Sequence, residues 1–367
     1  MYHNNSNNPQ RNPKSKNGLP FDPYKLKREL APHYIPATDN EIENMLKALG
    51  MKRLDDLYAH LSDVHASDEQ YTRSPFLSPI EYFQLPEHLQ NIASKNKIKT
   101  SFIGDGLKHY RTPEIVPIVS NIRGLTTPYT PYQPERSQGT LQGLWIYTSL
   151  ISALTGFEAI NASLYDRATA LFEALNTAKK IKANKAKSDS DPVHVLICDS
   201  IYPGDKEVLI TLAAGTNLHL HFLPLDTQGG VVSPRSAENM ITELSANGEQ
   251  LVAIAFPAVN SLGNLEDVDA FTDLAQKINA ISIAIIDPML ISNGGLKPPA
   301  IYGSNQQGAN IFVGEGQHLA LPPSFGGPGL GIFGIRYNEK NRSDIRSTPG
   351  RYVGLAKDSQ GRPCKTL

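Results

Sequence analysis

Apolar and polar residues follow two different periods along this chain. In "TDNEIENMLKALGM", Ile42, Met45, Leu46 and Leu49 recur at helical spacing. Thr38 precedes that stripe with Glu41 three residues on, the form of a capping box, and Gly50 suits a C-terminal cap. The pattern predicts a helix here, a short one over residues 54–61 and a proline-punctuated one near 79–94. "TLQGLWIYTSLISALTG" predicts a strongly apolar helix closed by Gly156. "SLYDRATALFEALNTAKKIK" predicts a more amphipathic one, whose closing lysines suit the negative end of the helix dipole.

Beyond the polar "ANKAKSDSDP" the pattern alternates. Short apolar runs ("HVLICD", "LHLHFLPL", "LVAIAFP", "ISIAIID") are separated by amphipathic stretches, and "NIFVG" and "LGIFGIR" complete the series. Continuous apolar strands between helices predict an α/β fold, with a mostly parallel sheet covered by helices on both faces. Right-handed crossovers then bring the strand C-terminal ends to one edge, where ligands of such sheets bind. The expected organisation is a disordered polar tail over 1–20, a small helical N-terminal region over 21–120 and an α/β large domain over 121–367.

Composition narrows the function classes. The 367 residues carry a formal net charge of −1, so bulk charge implies neither nucleic acid nor an anionic membrane as partner. No apolar run approaches a membrane span, and "MYHNNSNNPQ" lacks the apolar stretch of a signal peptide. The two cysteines, Cys198 and Cys364, make neither a metal site nor a disulfide framework. A reducing, cytoplasmic setting is expected. His219 and His221 alternate in a strand without a zinc motif, and no metal is expected.

Candidate chemistry gathers at the strand ends: Asp199, Pro257, Asp287 and the run Gly314, Glu315, Gly316, Gln317. Asp287 either caps a turn with Pro288 or points into a ligand crevice. In pyridoxal-phosphate enzymes such an aspartate holds the pyridinium proton, while a lysine on a nearby loop forms the Schiff base. Residues 298–339 contain no lysine, Lys297 lies in a "GGLKPP" turn, and His318 stands in the stretch where the lysine is sought. Imidazole cannot replace a primary amine in an aldimine. A second group, "TTPYTPYQPERSQGTLQG", places Tyr129, Tyr132, Gln133, Glu135 and Gln138 among three prolines. Rigid tyrosines and amides make interface or substrate walls, or merely cover the core ahead of a helix. Tyr165, Asp166 and Thr169 lie at a helix start, which either faces an anion or simply benefits from the acid. The glycines of "FGGPGLGIFG" match neither the dinucleotide nor the P-loop spacing and read as a turn feeding a strand.

These strings resemble the glycine cleavage system P-protein family. "YTPYQPERSQGTLQGLWIYTSLISALTGFEAINASLYDRATALFEAL", "GANIFVGEGQHLALPPSFGGPGLGIFGIR" and "PGRYVGL" carry the resemblance, which extends back to "HYIPATDNEIENMLKALGMKRLDDLY". The match is to the amino-terminal half that many bacteria make as a separate subunit 1. The resemblance implies a type I pyridoxal-phosphate-transferase-like large domain and a heterotetramer with subunit 2, which carries the lysine-bound pyridoxal phosphate. It further implies decarboxylation of glycine, with transfer of the aminomethyl group to the lipoyl arm of H-protein. No catalytic residue and no covalent cofactor are then expected on this chain alone. Tyr129, Tyr132, Gln133, Glu135, Gln138, Tyr165, Asp166 and Thr169 become joint-site or interface candidates, and Asp287, Glu315, Gln317 and His318 line a degenerate cofactor pocket. Arg136 stands where the family usually has an aliphatic residue, and Arg167 where it usually has glycine in "YDGAT". The chain also stops where the family's C-terminal small domain is expected. Two alternatives remain: a standalone pyridoxal-phosphate enzyme, against which the absent lysine speaks, and a non-catalytic regulatory or binding pseudo-enzyme.

Overall fold

The computed structural model describes residues 38–60, 81–100, 102, 110–127, 130–183 and 192–367. The expected tail over 1–20, the loop "ANKAKSDSDP" from residue 184 to 191 and Tyr129 lie outside the described residues. The chain divides into two units, Met1–Thr100 and Ser101–Leu367.

In the first unit, α1 (Asp39–Ala48) begins at the expected capping box. The Thr38 amide donates to Glu41 Oε2 at 2.7 Å, and the Glu41 amide donates back to Thr38 Oγ1 at 3.4 Å. Two otherwise orphaned helix-start donors are thereby satisfied. Gly50 follows with φ +71°, the left-handed cap that glycine adopts without a Cβ penalty. The second predicted helix is a single 3-10 turn, Leu54–Tyr58, and the third is a 3-10 turn over Tyr82–Gln84 leading into α2 (Leu85–Ala93).

The second unit opens with α3 (Ile115–Ser120), α4 (Gln138–Thr155), the two-residue β1 (Ala159–Ile160) and α5 (Arg167–Ala183). The alternating series follows as read: β2 (Val193–Cys198), α6 (Pro203–Ala213), β3 (Leu218–Leu223), α7 (Pro234–Ala246), β4 (Gln250–Pro257), α8 (Val268–Lys277) and β5 (Ile281–Ile285). Then come β6 (Ile311–Glu315), the four-residue α9 (Gln317–Ala320), β7 (Gly331–Ile335) and a hairpin of β8 (Gly354–Lys357) with β9 (Pro363–Thr366). The sheet order is β1-β7-β6-β5-β4-β2-β3.

Pairing from β3 to β6 is parallel, whereas β7 runs antiparallel to β6 and β1. The β6–β7 connection carries only α9 rather than a full crossover helix, so the chain turns back on itself. Continuous apolar strands split their side chains between two cores. Leu196, Ile254, Phe256 and Phe312 pack on one face with Ile151 of α4, Leu244 of α7 and Phe271 of α8. Val195, Ile197, Ala253, Ile283 and Val313 pack on the other with Leu171 and Leu175 of α5 and Leu209 of α6. Each fully buried Phe or Leu here contributes roughly 1.5–3 kcal/mol. Among the described residues no helix is long and apolar enough to cross a membrane.

Candidate functional site

The second unit holds a cleft of about 690 Å³ at the C-terminal edge of its parallel strands. Its floor is apolar: Ile201, Pro257, Val259, Ile285 and Ile286 come from strand ends and the turns that follow. Its polar groups converge from separate elements. Arg167 is the first residue of α5, Asp205 lies in the first turn of α6, Asp287 follows β5, and Tyr110, Arg111 and His318 stand on loops or α9. Acid in the first turn of α6 suits the positive helix start.

Arg167 is the centre of this cluster. Its Nε lies 2.7 Å from Asp205 Oδ2, Nη1 lies 3.7 Å from Asp287 Oδ1, and the guanidinium sits 4.4 Å from the centre of the Tyr202 ring. The side chains of Arg167, Asp205 and Asp287 are only 10%, 13% and 18% exposed. Burial works against the charged guanidinium, but Asp205 and Asp287 outweigh it and hold its pKa above the ordinary arginine value. Burial pushes the Asp205 carboxyl up, and Arg167 opposes that shift. The group is a desolvated charge cluster with one cation between two carboxylates.

Glu315, at the end of β6, is a fastener rather than a free acid. Its Oε1 accepts from the amides of Gln317 and Leu330, both at 2.8 Å, and its Oε2 accepts from the amide of Arg167 at 3.2 Å. Asp287 Oδ1 accepts from the Glu315 amide at 2.9 Å, and the side chain makes no capping bond to the 3-10 turn it precedes. His318 meets Tyr110 edge-on at 6.3 Å, and the Tyr110 hydroxyl donates to the Leu321 carbonyl at 2.7 Å. Burial, aided by the Glu315 charge, pushes that hydroxyl's pKa up.

The sequence candidates separate into three places. Asp287 and His318 line the cleft, whereas Glu315 and Gln317, expected there too, do not: Glu315 stands behind it, bonded to the Arg167 and Gln317 amides. Asp166 and Thr169 close a reciprocal cap on α5: the Thr169 amide donates to Asp166 Oδ1 at 2.7 Å, and the Asp166 amide donates to Thr169 Oγ1 at 3.2 Å. Tyr165 beside them is exposed. In the loop before α4, Tyr132, Gln133, Glu135 and Arg136 are exposed. Gln138 there ties α4 to the C-terminal hairpin: its Oε1 accepts from the Lys365 amide at 3.0 Å, and its Nε2 donates to the Lys365 carbonyl at 2.9 Å.

Sequence reasoning missed Tyr110, Arg111, Tyr202 and Asp205, which lie in stretches read only as loops or helix starts. The one available signal was Arg167 itself, a bulky cation where the resemblance leads one to expect glycine. The glycine-rich stretch also has a different cause from a turn alone. A Cβ on Gly331 would come within 2.3 Å of the Asp166 carbonyl oxygen, so β7 can pass the start of α5 only with glycine there.

These residues do not fit pyridoxal phosphate. Among the described residues no lysine lines the cleft, the Asp287 carboxylate faces a guanidinium, and the leading amide of α5 already donates to Glu315. Among the described residues no group of three or more histidines, cysteines or acids could hold a metal ion.

Comparison with known proteins places this arrangement. A family model described as "Glycine cleavage system P-protein" matches residues 32–367. "Probable glycine dehydrogenase (decarboxylating) subunit 1" of Legionella pneumophila (strain Corby) is 34% identical over 329 residues, covering 90% of this chain and 67% of that protein. The protein of the same description from Moorella thermoacetica is 36% identical over 334 residues, covering 91% of this chain and 68% of that one. Among solved structures, an inhibitor-bound glycine decarboxylase (P-protein) of the glycine cleavage system matches with a TM-score of 0.65 at 31% identity, covering 91% of this chain and 68% of that chain. A tryptophan decarboxylase of Catharanthus roseus shares the fold, at 11% identity and a TM-score of 0.54, over 86% of this chain and 73% of that one.

Proposed function

Because this chain belongs to the glycine cleavage system P-protein family, we propose that it is a subunit 1 of a glycine decarboxylase that anchors no coenzyme of its own. In this reading it pairs with a subunit 2 that carries pyridoxal phosphate, forming a cytoplasmic heterotetramer. The assembled enzyme decarboxylates glycine and passes the aminomethyl group to the lipoyl arm of H-protein. This chain supplies walls and interface: Tyr132, Gln133, Glu135 and Tyr165 are placed at the surface where a second chain can reach them, and Tyr129 is assigned with them on its sequence position.

One observation carries the reading. The cleft lies at the C-terminal edge of the parallel strands, yet no lysine among the described residues lines it and its carboxylates already face an internal cation. Exposed apolar side chains support a partner. Ile146 and Leu150 stand outward from α4, and Ile115 and Ile118 from α3, a pattern of apolar surface suited to an interface.

The test is reconstitution. Mixed with subunit 2, the chain co-elutes as one large species that catalyses glycine–bicarbonate exchange, and alone it catalyses none. Exchange by the isolated chain, or separate elution at micromolar concentration, refutes the assignment. A second reading, a regulatory or binding pseudo-enzyme, is favoured by Arg167, whose guanidinium stands in the cleft against Asp205 and the Tyr202 ring. It is selected if the two chains co-elute but exchange is no faster than with subunit 2 alone.

A further inference from the structure

We propose that Arg167 is the resident cation of the cleft: its guanidinium occupies the Asp287 carboxylate and the Tyr202 ring face, and thereby closes this pocket to pyridoxal phosphate. The inference rests on the reading of the chain as a coenzyme-free subunit, and it names the residue responsible. Loss of a lysine removes only the covalent anchor. A pocket can still hold the coenzyme through its ring and phosphate, so the missing amine by itself does not explain an empty specificity.

Both remaining handles are taken, the ring's by the Arg167 side chain and the phosphate's by Glu315. A guanidinium is planar, delocalised and permanently charged, as a protonated pyridine ring is planar and charged. It lies 4.4 Å from the Tyr202 ring centre, where an aromatic cation would stack, and 3.7 Å from Asp287 Oδ1, where a pyridinium proton would be held. Asp205, at 2.7 Å, fixes it in that pose. The other handle is the start of α5, a helix of 17 residues and a natural phosphate site. Its Arg167 amide donates to Glu315 Oε2, and Glu315 is itself held in place by the Gln317 and Leu330 amides. An incoming phosphate would meet a fixed carboxylate there. With the guanidinium gone, Asp205 and Asp287 would lose the cation between them beside the Tyr202 ring, leaving a site for a flat organic cation.

The experiment uses the full chain and pyridoxamine, which has the ring and a cationic amine but no aldehyde, so it cannot form aldimines with surface lysines. Equilibrium dialysis of the wild-type chain should show no saturable binding of pyridoxamine or pyridoxal phosphate. Arg167→Gly should bind pyridoxamine at least about tenfold more tightly than the wild-type limit. Methylguanidinium should compete, and adding Asp287→Asn should abolish the gain. If Arg167→Gly fails to fold, Arg167→Gly with Asp205→Asn carries the same test, because the orphaned acid leaves with the base. Saturable wild-type binding overturns the proposal, as does a folded variant of either kind that binds no pyridoxamine. Reconstitution with subunit 2 is read separately, so a chain that gains pyridoxamine affinity yet never pairs rejects only the subunit assignment.

Discussion

The loop ahead of α4 and the cleft at the start of α5 are built in opposite ways. In the loop, Tyr132, Gln133, Glu135 and Arg136 are exposed, and local order comes from backbone turns such as the Arg136 and Ser137 amides donating to the Gln133 carbonyl, each at 3.0 Å. In the cleft, Arg167, Asp205 and Asp287 are almost withdrawn from water and fix one another. The loop carries part of the string on which the family resemblance rests, whereas the cleft carries Arg167, where that resemblance leads one to expect glycine. An exposed string is ordered by its own backbone turns and leaves its side chains to solvent or to another chain. A buried charge is decided by its neighbours, because desolvation multiplies each pairwise term.

The largest expected effect is in the cleft. Arg167→Ala removes the cation held between Asp205 and Asp287 and should lower unfolding stability by about 3–5 kcal/mol, measured by urea denaturation. Adding Asp205→Asn should recover part of that loss; a double variant no more stable than the single one would show that the pair is not coupled. A smaller effect is expected at the exposed start of α4, where it meets the C-terminal hairpin. Gln138→Ala loses the bonds to Lys365 and should cost about 1–2 kcal/mol, with faster hydrogen exchange at the Lys365 amide. Unchanged exchange there would make the clamp dispensable.

A third measurement separates the cleft's charges from those of the sheet. His194 of β2 stacks with His219 and His221 of β3, its Nδ1 lies 2.8 Å from His221 Nε2, and Glu249 stands 3.8 Å away. Burial chiefly, with the two neighbouring histidines, lowers its pKa below the ordinary 6.5, against the pull of Glu249. The unfolded chain then binds the proton more readily than the fold. This contribution is complete above about pH 6.5 and is lost as pH falls towards the lower folded value. His194→Gln should flatten the acid limb of the stability–pH curve, whereas Arg167→Ala, which removes the cation opposing the rise of the Asp205 carboxyl, should add a pH dependence of its own. The smallest effect on stability is expected at Tyr132→Ala, within about 0.5 kcal/mol. Retention of subunit 2 on a column bearing this variant should fall nonetheless; full retention would remove Tyr132 from the proposed interface.

Much of the fold is legible in local pattern. The capping box at Thr38 and Glu41, the close of α4 at Gly156 and the strand–helix alternation from β2 to β5 all rest on interactions within a few residues. The reversal of β7, the two-residue β1 and the C-terminal hairpin were not legible, since each is set by a distant pairing partner rather than by its own periodicity. The site divides the same way. Asp287 and Glu315 announce themselves as acids at strand ends, but Asp205 looks like any first-turn helix acid until its partner is known.

Sequence by itself determined the α/β class, the family and the absence of lysine from residues 298–339. Only the tertiary structure decided that Arg167, Asp205 and Asp287 share one cleft. Period and capping are properties of neighbours along the chain. The meeting of those three charges requires the parallel sheet to bring the starts of α5 and α6 and the end of β5 to a single edge.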